Sequence, residues 1–253
     1  MDKRRELFRK HYEHYDIRKT AIERKYYHSL RVMDLSILIS RYLGLDDKDI
    51  TLASIIGLLH DYARFEQWTK YKTYRDKDSI DHGDLAVKRL FDDNEIMDYD
   101  LDVNDYDTVY TAIKYHNKIA IPYSLGNRSK LFCKIIRDAD KLDIFYVLLT
   151  DDIKNTYGCS AEEMKNETFS DEIINEFKVN HEIDYQKRNT YGDIWISHMA
   201  YVFDFYYKSS YIVIKEKDYI NKLLKKVDFK NKETLKSAQE ILQIANDYIK
   251  SKI

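Results

Sequence analysis

The ten residues LLHDYARFEQ, at positions 58–67, place a histidine and an aspartate side by side at the end of an apolar run. Seven of the eight residues from Leu52 to Leu59 are apolar or glycine, which predicts a helix buried on nearly every side. Polar groups at the end of such a helix cost free energy unless they bind each other or a cation. Because helical neighbours point about 100° apart, His60 and Asp61 can meet one metal ion only from the edge of a packed helix. The alternative is a structural His60 with Asp61 facing water.

Helices are predicted along most of the chain. The 253 residues include six Gly and one Pro, which are too few turn residues for a many-stranded sandwich or barrel. Apolar spacings of three, four and seven predict one or two helices before a C-cap at Gly44, and Asp46 or Asp47 is expected to begin the next helix. One face of the N-terminal helices would be formed by Ile17, Ala21, His28, Val32, Leu35 and Ile39.

The remaining helices follow from the same periodicity. We expect them at about 81–91, 105–116 and 129–149, with a solvated acidic loop over 92–107 and a turn over 117–126 around the single proline. Further helices are expected after residue 150. The last of them would run through Leu235, Ala238, Leu242, Ala245 and Ile249. The length suits one large domain or a domain with an appendage.

Charge and cysteine content narrow the function classes. The 42 Lys and Arg residues nearly balance the 44 Asp and Glu residues, whereas a dedicated nucleic-acid binder is normally strongly basic. Cys133 and Cys159 provide neither a disulfide framework nor metal-ligand spacing. No apolar run reaches the roughly 18–20 residues of a membrane helix, and the charged N-terminal residues are unlike a signal peptide. We therefore expect a cytoplasmic protein without a membrane partner.

Two further polar residues interrupt apolar helical patterns. His28 lies on an otherwise apolar helical face, where a lone histidine is more often a hydrogen-bonded core residue than a ligand. Asp140 interrupts the pattern of residues 135–143, where a single carboxylate could also belong to a surface stripe. Together with His60 and Asp61 they offer two imidazoles and two carboxylates from three predicted helices. Such a set suits a divalent ion such as Mn, Fe, Mg, Ni or Zn.

The order His…His-Asp…Asp resembles that of the HD-domain metal-dependent phosphohydrolase superfamily. The resemblance covers roughly residues 20–150 and is carried by HSLRV at 28–32, LLHDYARFEQ at 58–67 and IIRDADKLD at 135–143. It implies an all-α fold, an HD-domain helical bundle with additional C-terminal helices. We assign residues 1–150 to the metal-binding core and residues 151–253 to a helical extension packed on it. This extension is expected to cover the mouth of the site or to form a dimer contact.

The resemblance also implies a set of metal ligands. Four residues would bind the first ion: His28, His60, Asp61 and Asp140. Asp138 is the competing choice for the last position. His82 and His116 lie between the second and last motifs, where some members of the superfamily bind a second ion bridged by the aspartate, so one or two ions per chain are expected. The alternative is that one of these histidines binds substrate phosphate. The chain has no Gly-Tyr-Pro motif beside this core, so the cyclic-di-GMP branch is not supported.

Three cations lie close to the motif residues. Arg31 and Arg64 each follow a motif histidine by three or four residues, on the same helical face, and Lys141 directly follows the last aspartate. We predict that all three bind substrate phosphate, Arg as a planar fork and Lys as a point charge. Arg64 and Lys141, together with Asp61, are the predicted catalytic residues.

Other assignments stay open at the level of the sequence. The three cations could instead pair with Asp34, Glu66 or Asp143, and either Glu66 or Asp81 could orient the attacking water. The remaining histidines match no motif and are expected to be surface or packing residues: His11, His14, His181 and His198.

The predicted function is hydrolysis of a phosphate ester or anhydride in a small molecule. The resemblance favours a nucleotide as the substrate and a hydroxide generated on the metal as the nucleophile. The rival functions are non-hydrolytic nucleotide binding by an HD fold and a di-iron oxygenase of the same fold. Nucleic-acid cleavage is disfavoured by the nearly neutral net charge of −2. A homodimer is compatible with the sequence.

Overall fold

The protein is all-α, as the sequence predicts. The structure, a computed structural model, describes residues 3–253, and this range contains helices and no strand. The chain forms two compact units, Met1–Asp140 and Lys141–Ile253, and the division falls inside helix α7. The assignment of residues 1–150 to a metal-binding core and of 151–253 to an extension stays a prediction.

Within the described residues, the first unit contains six α-helices and the beginning of a seventh: α1 (Lys3–Glu13), α2 (Thr20–Tyr42), α3 (Asp47–Leu59), α4 (Arg64–Tyr71), α5 (His82–Val87), α6 (Tyr106–Tyr115) and α7 (Asn127–Thr150). A π-helical turn, Lys88–Asp92, directly follows α5. The second unit contains the end of α7 and seven helices: α8 (Ile153–Tyr157), α9 (Ala161–Lys165), α10 (Asp171–Asn175), α11 (Tyr191–Met199), α12 (Lys208–Glu216), α13 (Tyr219–Val227) and α14 (Lys232–Ser251). Within residues 3–253, no helix combines the length and the apolar character that a bilayer crossing requires.

Local signals at the end of α2 and the start of α3 behave as predicted. Gly44 adopts a φ of 68°, in the left-handed region that favours glycine. The Gly44 amide donates to the Arg41 carbonyl and the Leu45 amide to the Ser40 carbonyl, which together form a Schellman cap. The Asp46 carboxylate then accepts the Asp49 amide at 2.8 Å and caps α3. The connection between the two helices is therefore short and fixed.

The close packing of α2 on α3 depends on Gly57. A Cβ atom at this position would lie 2.9 Å from both the Met33 Cα atom and the Val32 carbonyl oxygen. Ser36 faces the same point, with its Oγ atom 2.7 Å from that position. The absence of a side chain at Gly57 thus lets the backbones of the two helices approach, which brings the end of α3 to the middle of α2.

Two predictions about local structure were wrong. Ile17 precedes α2, which begins at Thr20, and its side chain is 45% exposed, so it does not belong to the apolar face. The segment 92–107 is not simply a solvated loop. It contains 3₁₀ turns at Glu95–Tyr99 and Val103–Asp105, and the side chains of Ile96 and Tyr99 are buried. The many acidic residues of the segment predicted exposure to solvent, although Ile96 and Tyr99 pack into the core.

Candidate metal centre

The first cluster of polar side chains lies where α2 and α3 cross. His28 projects from the middle of α2, and His60 is the C-cap residue of α3, followed directly by Asp61. The Nε2 atoms of His28 and His60 lie 3.2 Å apart. The Asp61 Oδ2 atom lies 3.4 Å from the Nε2 atom of His28 and 3.6 Å from that of His60. All three residues are buried.

Helix α7 adds a second carboxylate to this cluster. The Asp140 Oδ1 atom lies 3.2 Å from the His28 Nε2 atom and 3.8 Å from the His60 Nε2 atom. The exposed fraction of the Asp140 side chain is 24%, against 5% for His28, so solvent reaches the cluster from the side of Asp140. Asp138, the competing residue, is completely buried on the same helix.

A second pair of buried imidazoles lies on the other side of Asp61. His82 is the first residue of α5, and His116 is the C-cap residue of α6. Their Nε2 atoms lie 2.9 Å apart. The Asp61 Oδ1 atom lies 3.5 Å from the Nε2 atom of His82 and 3.8 Å from that of His116. One carboxylate therefore faces two histidine pairs, one through each of its oxygens.

Hydrogen bonds at the opposite ring atoms orient three of these imidazoles. The Nδ1 atom of His60 lies 2.8 Å from the Gly57 carbonyl oxygen, and that of His116 lies 2.6 Å from the Ile113 carbonyl oxygen. A carbonyl can only accept, so each Nδ1 atom donates a proton and each Nε2 atom of a neutral ring keeps a lone pair. The Nδ1 atom of His82 lies 2.6 Å from a carboxylate oxygen of Asp76, which gives the same result. These lone pairs converge on the oxygens of Asp61. Nitrogen and carboxylate lone pairs that face one another without a proton between them are suited to binding a metal cation.

Burial and neighbouring charges keep the cluster in the protonation state that metal binding needs. Burial lowers the pKa of both His82 and His116 to about 4, and it also lowers the pKa of His60. Burial alone would raise the pKa of Asp61, but Lys25 and other nearby positive groups hold it well below its usual range. At neutral pH these imidazoles are therefore neutral and Asp61 is ionised, which is the form of each group that binds a metal ion.

The HD domain family model matches residues 26–144 of the chain. Residues 26–144 therefore form an HD domain, as the three motifs predict. Divalent metal binding and phosphohydrolase activity are characteristic of HD domains. The matched segment contains all six residues of the two clusters: His28, His60, Asp61, His82, His116 and Asp140. No curated protein and no solved structure gives a significant match to the chain.

The sequence-based predictions did not single out Lys25 or Asp76, although both contact the polar core of the HD domain. The Lys25 Nζ atom lies 2.7 Å from the Asp61 Oδ2 atom. Asp76 accepts hydrogen bonds from Arg64, Gln67 and Asn117 in addition to its contact with His82. Lys25 precedes a motif histidine by three residues, so helical spacing could have identified it. Asp76 lies in a polar stretch with several other carboxylates, and no local pattern distinguishes it.

The sequence-based predictions also did not single out Arg137, which fixes the end of α6. Its guanidinium donates to the backbone carbonyls of Tyr115, Lys118 and Ile119 while its side chain is largely buried. These carbonyls flank His116, so Arg137 holds the backbone of this histidine in place. The motif IIRDADKLD therefore contributes a structural cation as well as Asp140.

The three predicted cations occupy different environments. The Arg64 Nε atom lies 3.2 Å from the Asp61 Oδ1 atom, and the Arg64 Nη1 atom donates hydrogen bonds to Gln67, Asp76 and the Tyr74 carbonyl. The carboxylate partners of Arg64 are thus Asp61 and Asp76. Arg31 lies on α2, one turn after the first motif histidine. The Lys141 Nζ atom pairs with Asp204, in the second unit. Phosphate binding by Arg31, Arg64 and Lys141 stays a prediction, as do the catalytic roles of Arg64 and Lys141.

The carboxylates considered for orienting water are held by cations. Glu66 bonds to Arg89 and Lys70, and the resulting hydrogen bonds to Arg89 lower its pKa to about 2. Asp81 caps α5 by accepting the Asp84 amide and pairs with Lys118. Both side chains therefore have structural partners, and their role with water stays a prediction.

Of the four histidines outside the motifs, His14 is exposed and the other three pack against aromatic rings. His11 stacks on Tyr62, with ring centroids 3.7 Å apart. His181 stacks on Phe203 at 4.1 Å, and the ring of His198 lies beside that of Tyr157 at 5.6 Å.

Proposed function

We propose that the protein is a metal-dependent phosphohydrolase that cleaves a phosphate ester or anhydride bond in a small molecule. The observation that carries the proposal is the position of Asp61, whose two carboxylate oxygens face two separate pairs of buried imidazoles. This arrangement favours two ions bridged by one carboxylate over a single ion. The HD domain of residues 26–144 supports the reaction class, and the resemblance favours a nucleotide as the substrate.

We assign one group of metal ligands to each carboxylate oxygen of Asp61. The first ion would be held by His28, His60, Asp61 and Asp140, and the contact of Asp140 with His28 favours it over Asp138. The second ion would be held by Asp61, His82 and His116. Mixed nitrogen and oxygen donors suit Mn, Fe, Ni or Zn, and Mg is the least favoured ion of the predicted set because it prefers oxygen ligands.

The bound ions would supply Lewis-acid stabilisation of a phosphoryl oxygen and would activate water at neutral pH. The chain itself contributes orientation and charge. Arg64 holds the Asp61 carboxylate through its Nε atom while Asp76 fixes both Arg64 and the His82 ring. Such contacts keep the ligands in the geometry for binding before the substrate arrives. Arg31 and Lys141 are the further candidates for binding the phosphate.

The test combines metal analysis of the purified protein with a panel of phosphatase, phosphodiesterase and nucleotidase substrates. Wild-type protein is expected to contain up to two divalent ions per chain and to release phosphate from at least one class of substrate. The variant Asp61→Ala is expected to lose both metal and turnover while keeping its helical content, measured by circular dichroism. Full metal occupancy in Asp61→Ala would contradict the proposal.

Asp193→Ala is the matched control, because it also removes a buried carboxylate. Asp193 lies in the second unit, where it accepts hydrogen bonds from Ser170, Asn189 and Thr190. Its removal is expected to lower stability without changing metal content. Tight nucleotide binding by metal-loaded wild-type protein without any turnover would favour the non-hydrolytic rival. Oxygen consumption by an iron-loaded sample would favour the oxygenase.

A further inference from the structure

Lys25 contacts the oxygen of Asp61 that faces the first histidine pair. Its Nζ atom lies 2.7 Å from the Asp61 Oδ2 atom, the same atom that lies 3.4 Å from His28 and 3.6 Å from His60. The ammonium group thus neutralises the carboxylate at the point where the imidazole nitrogens converge. The exposed fraction of the Lys25 side chain is 21%, against 2% for Asp61, so Lys25 lies between the buried cluster and solvent.

The two cations that contact Asp61 differ in how firmly they are held. Arg64 is bound by Asp76, Gln67 and a backbone carbonyl in addition to Asp61, so its guanidinium is fixed on several sides. Lys25 bonds to Asp61 and otherwise lies over the ring of Tyr74, 5.6 Å from its centroid. A lysine carries its charge on a flexible four-carbon chain. Of the two cations, Lys25 is therefore the one that can leave Asp61 without breaking other hydrogen bonds.

The net charge of the centre favours the release of Lys25 from Asp61 when metal binds. Lys25 and Arg64 pair with Asp61 and Asp76, and Asp140 contacts His28, so these three carboxylates and two cations leave one net negative charge without metal. The imidazoles add no charge in their metal-binding form. One divalent ion would turn this into one positive charge, and two ions into three. Positive charge of this size beside an ammonium group is unfavourable unless an anion joins the site.

We propose that Lys25 is the internal counter-ion of Asp61 in the metal-free centre and becomes a phosphate-binding residue when metal displaces it. The inference rests on the proposed function and narrows its substrate class. An excess of positive charge favours a terminal phosphate, which carries between 1.5 and 2 negative charges at neutral pH. A phosphodiester carries only one. The preferred substrates are therefore phosphate monoesters or anhydrides with a terminal phosphate.

The first experiment measures metal affinity without any phosphate, by calorimetric titration of metal-free protein with Mn²⁺. Lys25→Met removes the competing ammonium group and is only one atom shorter than lysine, and Lys25→Gln serves as a second neutral variant. Both are expected to bind Mn²⁺ at least about threefold more tightly than wild-type protein. Lys70→Met is the control, because Lys70 pairs with Glu66 on the surface of α4 and should leave the affinity unchanged. Unchanged or weaker Mn²⁺ binding by both Lys25 variants would overturn the inference.

The second experiment measures anion binding to the Mn²⁺-loaded protein, with inorganic phosphate and dimethyl phosphate as the probes. Wild-type protein is expected to prefer inorganic phosphate. Lys25→Met should lose about tenfold or more of its phosphate affinity, as expected for a lost charge-assisted hydrogen bond, while its dimethyl phosphate affinity changes much less. Lys25→Arg, which keeps the positive charge, should restore most of the phosphate affinity. Equal loss for both probes, or no loss, would contradict the phosphate-binding role.

The two experiments separate this inference from the proposed function. If wild-type protein binds no divalent ion, the metal centre itself is wrong and both proposals fail. If wild-type protein binds Mn²⁺ and hydrolyses a phosphate substrate while the Lys25 variants bind Mn²⁺ and phosphate as wild type does, the function stands and the role of Lys25 is wrong.

Discussion

The Nε2 atoms of His82 and His116 lie 2.9 Å apart although neither ring has a proton to share with the other. The Nδ1 proton of His82 faces Asp76 and that of His116 faces the carbonyl of Ile113, so both Nε2 atoms present lone pairs. Two lone pairs at this distance repel each other, and the Asp61 oxygen nearby adds negative charge. The folded chain therefore holds an unfavourable arrangement that a cation between these groups would relieve.

His116→Gln is expected to reduce the metal content from two ions to one. The substitution removes one imidazole from the second pair and leaves His28, His60 and Asp140 in place for the first ion. Metal analysis of protein saturated with Mn²⁺ and then desalted measures the ratio. His181→Gln is the control, because that histidine stacks on Phe203 in the second unit. A ratio of two ions in His116→Gln would exclude His116 as a ligand.

Asp76→Asn is expected to weaken metal binding about 10- to 100-fold, the usual effect of losing a partner that orients a metal-binding histidine. The carboxylate fixes the His82 ring and also bonds to Arg64. An amide cannot accept from all of these donors in the same way, so the His82 ring loses its fixed orientation. Titration with Mn²⁺ measures the change.

Asp78→Asn is the matched control for Asp76→Asn. Both residues lie in the same 3₁₀ turn, but Asp78 pairs with Arg75, and its side chain is 47% exposed. It should bind Mn²⁺ as wild type does. Similar losses in the two variants would mean that the turn as a whole, and not the contact between Asp76 and His82, supports the site.

The sequence predicted those features that depend on neighbours along the chain. Helical spacing and cap residues predicted the end of α3 at His60 and its start at Asp46 or Asp47, and short motifs brought His28, His60 and Asp140 into one predicted cluster. Lys25 could have been found from its helical spacing to His28, whereas the contacts of Asp76 depend on how distant segments pack, so no local pattern indicated them. At Ile96 the sequence was misleading. The acidic residues around it predicted a solvent-exposed loop, but its side chain is buried.

Gly57→Ala is expected to destabilise the first unit by about 1–3 kcal/mol, the usual cost of overpacking. Alanine would normally favour a helix over glycine, but here the new Cβ would meet backbone atoms of Met33 and Val32, which cannot rotate away. The two helices must separate, so metal affinity should fall as well. Urea unfolding followed by Trp68 fluorescence in a Trp195→Phe background measures the stability of this unit.

Gly126→Ala provides the control for the Gly57 variant, because no atom lies within 4 Å of the position of a Cβ at Gly126. Its stability and Mn²⁺ affinity should stay close to those of the parent protein. If Gly57→Ala were as stable as Gly126→Ala, the close approach of α2 and α3 would not depend on the missing side chain.

The second unit is expected to lose stability as the pH falls from 6.5 to 4, because of His198. Burial lowers the pKa of His198 from 6.5 to about 4, and its Nδ1 atom is buried without a hydrogen-bond partner. In this pH range the unfolded chain binds a proton that the folded chain does not, so protonation favours unfolding. No stability is lost above pH 6.5, and the loss amounts to about 3 kcal/mol by pH 4, at 1.36 kcal/mol per pKa unit. Urea unfolding of Trp68→Phe protein, followed by Trp195 fluorescence in the presence of a chelator, measures it against His198→Phe. Parallel stability curves for the two proteins across this range would show that His198 is not the titrating group.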